Sequence, residues 1–132
     1  MSLLLLLLPL LAGCFGPGGV PLSDANRESL ALSLEEIGRL GGEAEVRDRI
    51  QSLEQELAPL AGSKDAKLRD KAARTRLLIG YCWESLGKYE ESVSWYKQVA
   101  GSEYQSVADM RIADVAEHLA KEPGADKAGW TK

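Results

Sequence analysis

Groups able to do covalent or acid–base chemistry are scarce in this chain of 132 residues, which has one histidine and two cysteines against 20 acidic and 16 basic side chains. His118 is that histidine, so a His-rich metal site cannot form, and a Ser/His/Asp relay would have to pass through this single residue. Its place in the last turns of a helical block fits a solvent-facing imidazole beside a helix C-terminus. Gly87-Lys88 is followed by Tyr89 and has Cys82, not glycine, five positions before Gly87, so it is no phosphate-cradling loop. Glu35-Glu36 and Glu90-Glu91 are adjacent pairs whose members point in different directions on a helix, which suits solvation rather than paired acid–base work. Cys82 falls on an apolar stripe and is expected to be a small core residue. The expectation is a chain with no catalytic residue, no metal and no cofactor.

Cys14 is different because of what precedes it. Residues Leu3 to Leu11 are apolar apart from Pro9. At about 1.5 Å per residue that run cannot cross a hydrocarbon core of roughly 30 Å. It has the length and position of the apolar part of an export signal. The run ends in Leu11-Ala12-Gly13-Cys14, which resembles the bacterial lipobox, although Met1-Ser2 supplies no Lys or Arg ahead of it. The resemblance implies that residues 1–13 are a lipoprotein signal peptide and that Cys14 carries lipid, anchoring the chain to a membrane of the bacterial envelope. Residues 14–22, rich in Gly and Pro, then form a tether. Phe15 is not the aspartate that retains some lipoproteins in the inner membrane, which favours the periplasmic face of the outer membrane. With Cys14 acylated, Cys82 has no partner for a disulfide within the chain.

From Ser23 onward no segment alternates β-branched residues, and Gly and Pro separate blocks of helical period, so the fold class is all-α. Five helices are expected. The first runs from Asp24 to Leu40, capped at Ser23 or Asp24 and stopped by Gly41-Gly42. The second carries Val46, Ile50, Leu53, Leu57 and Leu60 at alternating spacings of four and three, with Pro59 at its end. The third extends from Ser63–Asp65 to Leu86 with Leu68, Ala72, Thr75, Ile79, Trp83 and Leu86 on one stripe. Gly87 closes it, Tyr89 to Ala100 forms the fourth, and a fifth runs from beyond Gly101-Ser102 to about Ala120. Residues 23–62 read as a divergent helical hairpin, and residues 122–132 as a flexible tail.

Within residues 73–106 the order of small and aromatic side chains is specific. Gly80 and Ser92 lack bulk where two helices would approach, while Trp83, Tyr89 and Tyr96 can fill the angle between them. Gly87 stands between the helices. This stretch resembles a tetratricopeptide repeat (TPR), with Gly87-Lys88-Tyr89-Glu90-Glu91-Ser92 its most recognisable part. It departs from the pattern at Arg76, where tryptophan or leucine is usual, at Val99 for alanine and at Tyr104 for the terminal proline. The resemblance implies antiparallel helix hairpins in a short TPR-like α-solenoid over residues 63–121. It also implies a concave, peptide-binding face carrying Arg74, Leu77, Tyr81, Glu84 and Ser85.

Charge supports a partner of one sign. Asp24 to Leu60 holds nine acids and four bases, Ala61 to Lys88 three acids and seven bases, and the remainder eight acids and five bases. Lys64, Lys67 and Lys71 lead into Arg74 as one basic stripe. Either this stripe settles between acidic neighbours in the same chain, or it meets an acidic or C-terminal peptide or anionic headgroups. The net charge of -4 argues against nucleic acid. The expectation is a membrane-anchored, non-catalytic adaptor or scaffold that binds a protein or peptide. By resemblance to envelope TPR lipoproteins, outer-membrane protein assembly is the nearest role. Two alternatives stand beside it: a structural oligomer formed through the heptad-like seam at 46–60, and an accessory fragment of a longer protein.

Overall fold

A computed structural model describes residues 22–121. The segment expected to be a signal, Cys14, most of the expected tether and the expected tail at 122–132 lie outside the described residues. Five helices follow in order: α1 (Asp24–Gly38), α2 (Glu43–Leu57), α3 (Ala66–Ser85), α4 (Tyr89–Lys97) and α5 (Gln105–Lys121). Among the described residues there is no strand, and the protein is all-α.

Local chemistry sets the ends of these helices. The Ser23 side chain accepts from the Asn26 N–H at 3.3 Å and caps α1. Asp65 caps α3, its Oδ1 accepting from the N–H groups of Lys67 at 2.9 Å and Leu68 at 3.3 Å. Gly87 ends α3 with φ at 74°, where the Lys88 N–H reaches the Trp83 carbonyl at 3.0 Å and the Gly87 N–H reaches that of Glu84 at 2.9 Å. That pairing is a Schellman motif and requires a left-handed residue at the turn. Three expected boundaries move inward. The first helix stops at Gly38 rather than Leu40, the third starts at Ala66, and the fourth ends at Lys97 rather than Ala100.

Helix α3 is the centre of the packing: α1, α2 and α4 all lie against it, and α5 packs on α4. Ala72, Leu77, Leu78, Ile79 and Cys82 of α3 are buried in one core with Leu30 and Ile37 of α1, four residues of α2 and Tyr96 of α4. The seam of Val46, Ile50, Leu53, Leu57 and Leu60 is buried within this single chain. Its apolar face is closed by α3, so it offers no free stripe for a second copy. Leu68, expected on the core stripe of α3, is instead 39% exposed. It lies in the first turn, ahead of Ala72, the first buried residue of that helix. Val93 of α4 joins Val115 and Leu119 of α5 in a smaller apolar cluster.

Candidate functional site

Helices α3 and α4 approach closely at Gly80. A Cβ there would stand 2.7 Å from the Tyr96 ring and 3.2 Å from the Ser92 carbonyl oxygen, so only glycine lets the two helices come this near. Ser92 is fully buried, and its hydroxyl donates to the Tyr89 carbonyl at 3.1 Å. Trp83 packs against the main core with the Arg47 guanidinium of α2 over its ring, 5.6 Å from the centroid. Tyr89 meets His118 edge to face at 5.2 Å between ring centres. His118 is therefore half-buried against an aromatic ring rather than solvent-facing, because α5 crosses the start of α4 at that level.

Tyr96 is 1% exposed, and its hydroxyl donates to Glu84 Oε1 at 2.7 Å. The same carboxylate receives the Arg111 guanidinium of α5 through both Nη2 and Nε, the latter at 3.2 Å. Arg111 also pairs with Asp114 at 2.9 Å and lies over the Tyr81 ring, 5.5 Å from its centre. Burial, together with the negative charge of Glu84 and the bond to it, pushes the Tyr96 hydroxyl well above the ordinary tyrosine range. Burial alone would lower the Arg111 pKa, but its bonds to Glu84 outweigh that and hold it above the usual arginine value. Sequence spacing gives no sign of this cluster. Arg111 stands 27 positions from Glu84, and only its i,i+3 relation to Asp114 is visible in one dimension.

The five residues expected on a ligand-facing surface are placed unequally. Leu77 is 1% exposed and belongs to the core, so it presents nothing to a ligand. Arg74 is turned onto α1, where its Nη2 donates to Ser33 Oγ at 2.7 Å and Ser29 Oγ at 3.2 Å. Glu84 is held by Tyr96 and Arg111, and Tyr81 lies under Arg111. Ser85 is exposed, its hydroxyl donating to the Tyr81 carbonyl at 3.0 Å. Arg74 is taken up by serines of α1, and Glu84 and Tyr81 by Arg111 of α5, side chains that an isolated helix pair would leave open.

The basic stripe behaves in the opposite way. Lys64, Lys67 and Lys71 are exposed and take part in no ion pair among the described residues. The acidic neighbours are used elsewhere: Glu36 holds Arg49 at 2.6 Å, and Glu43 holds Arg47 at 3.5 Å. Burial lifts the Cys82 thiol to about 11, with the charge of Arg49 drawing it the other way. Such a thiol is a poor nucleophile at neutral pH. Among the described residues, no group of three or more His, Cys, Asp or Glu side chains is arranged to hold a metal ion. Among them too, no helix is long and apolar enough to cross a membrane. Comparison with known protein families, with curated proteins and with solved structures finds no match to this chain.

Proposed function

We propose that this protein is a lipid-anchored, non-catalytic helical adaptor of the bacterial cell envelope, held through Cys14 and built around one TPR-like hairpin at residues 73–106. The observation that carries this reading is the contact of Gly80 with Tyr96 and Ser92. Small residues at these positions and an aromatic opposite them are what the repeat pattern needs at its helix crossing. The Gly87 turn and the packing of α1 on α3 beside α2 agree with hairpins stacked in series.

The partner is a protein or peptide of acidic character. Lys64, Lys67 and Lys71 are exposed and have no counter-ion among the described residues, whereas most of the expected concave residues are engaged inside the fold. The contact surface is therefore shifted toward the N-terminal half of α3, with Tyr81 and Ser85 at its far end. Assembly of outer-membrane proteins is the process in which such an adaptor would serve, and the anchor puts it at the periplasmic face of the outer membrane.

Two measurements test the two halves of the proposal. Cys14→Ser should abolish metabolic labelling with palmitate and move the protein out of the membrane fraction; unchanged labelling overturns the anchor. Cross-linked capture from envelope extract should lose its specific partners when Lys64, Lys67 and Lys71 are all changed to Glu. Equal recovery by both forms overturns the basic surface as the binding face.

A further inference from the structure

A cleft of about 430 Å³ opens where the α2–α3 connection meets the α4–α5 turn. Arg76 points about 200° around α3 from Arg74, whereas Asp70, four residues before Arg74, lies at the edge nearer to it. Three charged side chains line it, Arg69, Asp70 and Arg76. None of the three makes a hydrogen bond or an ion pair among the described residues, and the Arg76 Nε–H is buried with no acceptor. The space exists because the surrounding side chains are small: Ala72 and Ala73 form part of the lining, and Gly62 and Gly101 stand on the two connecting turns. Arg76 occupies the position at which the repeat pattern carries a large apolar residue, so the volume that such a residue would fill apolarly is bordered by a guanidinium.

The Arg76 Nε–H is closed off from the cleft, but the two Nη groups are neither buried nor hydrogen-bonded among the described residues, and a guanidinium is shaped to take a carboxylate on two parallel N–H bonds. A second guanidinium, that of Arg69, stands at the same cleft. Asp70 alters the specificity, because one carboxylate beside two arginines disfavours a multiply charged anion and favours a ligand that brings its own cation. The volume lies within the range of sites for small molecules.

We propose that this cleft binds a small zwitterion, an amino acid or dipeptide, with its carboxylate on Arg76 and Arg69 and its ammonium on Asp70. The cleft borders the basic surface at Ser63, Ala66 and Asp70, and its binding does not depend on the adaptor reading.

The test is a titration of the full, isotopically labelled chain with alanylalanine, N-acetylalanine and inorganic phosphate, followed by amide NMR. Alanylalanine should give saturable shifts at Gly62, Gly101 and Ser102. Arg76→Gln should weaken its binding about tenfold or more. Arg69→Gln, at an exposed side chain where folding is not at risk, should weaken it severalfold. Asp70→Asn should weaken alanylalanine and leave N-acetylalanine unchanged, since the acetylated probe has no ammonium to lose. The proposal is overturned by an absence of saturable shifts at those amides, by phosphate binding as tightly as the dipeptide, or by unaltered dipeptide binding in Arg69→Gln and Asp70→Asn. The readout uses purified protein, so it stands or falls apart from membrane fractionation and partner capture.

Discussion

The Tyr96 hydroxyl of α4 donates to Glu84 of α3 at 2.7 Å, and Arg111 of α5 closes on the same carboxylate from the other side. One acceptor thereby ties three helices together. Glu84→Ala would leave a buried hydroxyl and a largely covered guanidinium without it. Because Glu84 and Arg111 retain 15% and 25% side-chain exposure, the cost falls below that of a fully buried pair, about 2–3 kcal/mol. Urea unfolding of Glu84→Ala should show this loss, and Glu84→Gln, which keeps an acceptor, should lose about half as much.

The same bond predicts an alkaline limit to stability. Tyr96 has its folded pKa raised by burial and by Glu84, and Tyr104 has its own raised chiefly by burial. A group raised on folding stabilises fully below its unfolded pKa. Above about pH 10 the unfolded chain releases the proton while the folded chain keeps it, so stability falls as pH rises. Thermal melting should be flat from neutral pH to about pH 8.5, begin to decline there because burial raises the Cys82 thiol as well, and fall more steeply above about pH 10. Tyr96→Phe should make the decline shallower.

Gly80→Ala should destabilise the protein even though alanine is the better helix former. The new methyl would meet the Tyr96 ring at 2.7 Å, and that ring is pinned by Glu84. Overpacking of this kind costs about 1–3 kcal/mol, against a gain of about 1 kcal/mol in helix propensity. The net loss, read from the urea midpoint, should be about 1 kcal/mol, and a gain in stability would mean that the helices are not held at this distance.

Arg74 acts as a clasp between α3 and α1 through Ser29 and Ser33. Arg74→Ala should speed amide hydrogen exchange in residues 24–38 while leaving α3 and α4 protected. The expected cost is about 1 kcal/mol, confined to the docking of α1.

Cys82 is fully buried, with its thiol lifted to about 11. In a Cys14→Ser background a disulfide reagent at mild alkaline pH should leave the native protein unmodified and react promptly once urea is added. Fast modification of the folded protein would show that the core opens around α3.

Much of this architecture was legible in one dimension. The all-α class and the order of five helices follow from apolar spacing, from Ser23 or Asp24 as the first cap and from glycine at the turns, because these signals act over a few residues of the same chain. Gly80, Ser92 and Tyr96 could likewise be matched as a crossing, since both helices belong to one short hairpin. The use of polar side chains could not be read that way. Whether Arg74 met solvent or Ser33, and whether Glu84 lay on a surface or under Arg111, depended on helices 41 and 27 residues away. Arg69, Asp70 and Arg76 entered the sequence as fragments of a charge pattern, and their convergence on a cleft depends on where the α4–α5 turn comes to rest. Sequence determined the helices because their hydrogen bonds and apolar periods are local. Tertiary structure decided which charges were spent and which remained, because that choice is made by neighbours distant along the chain.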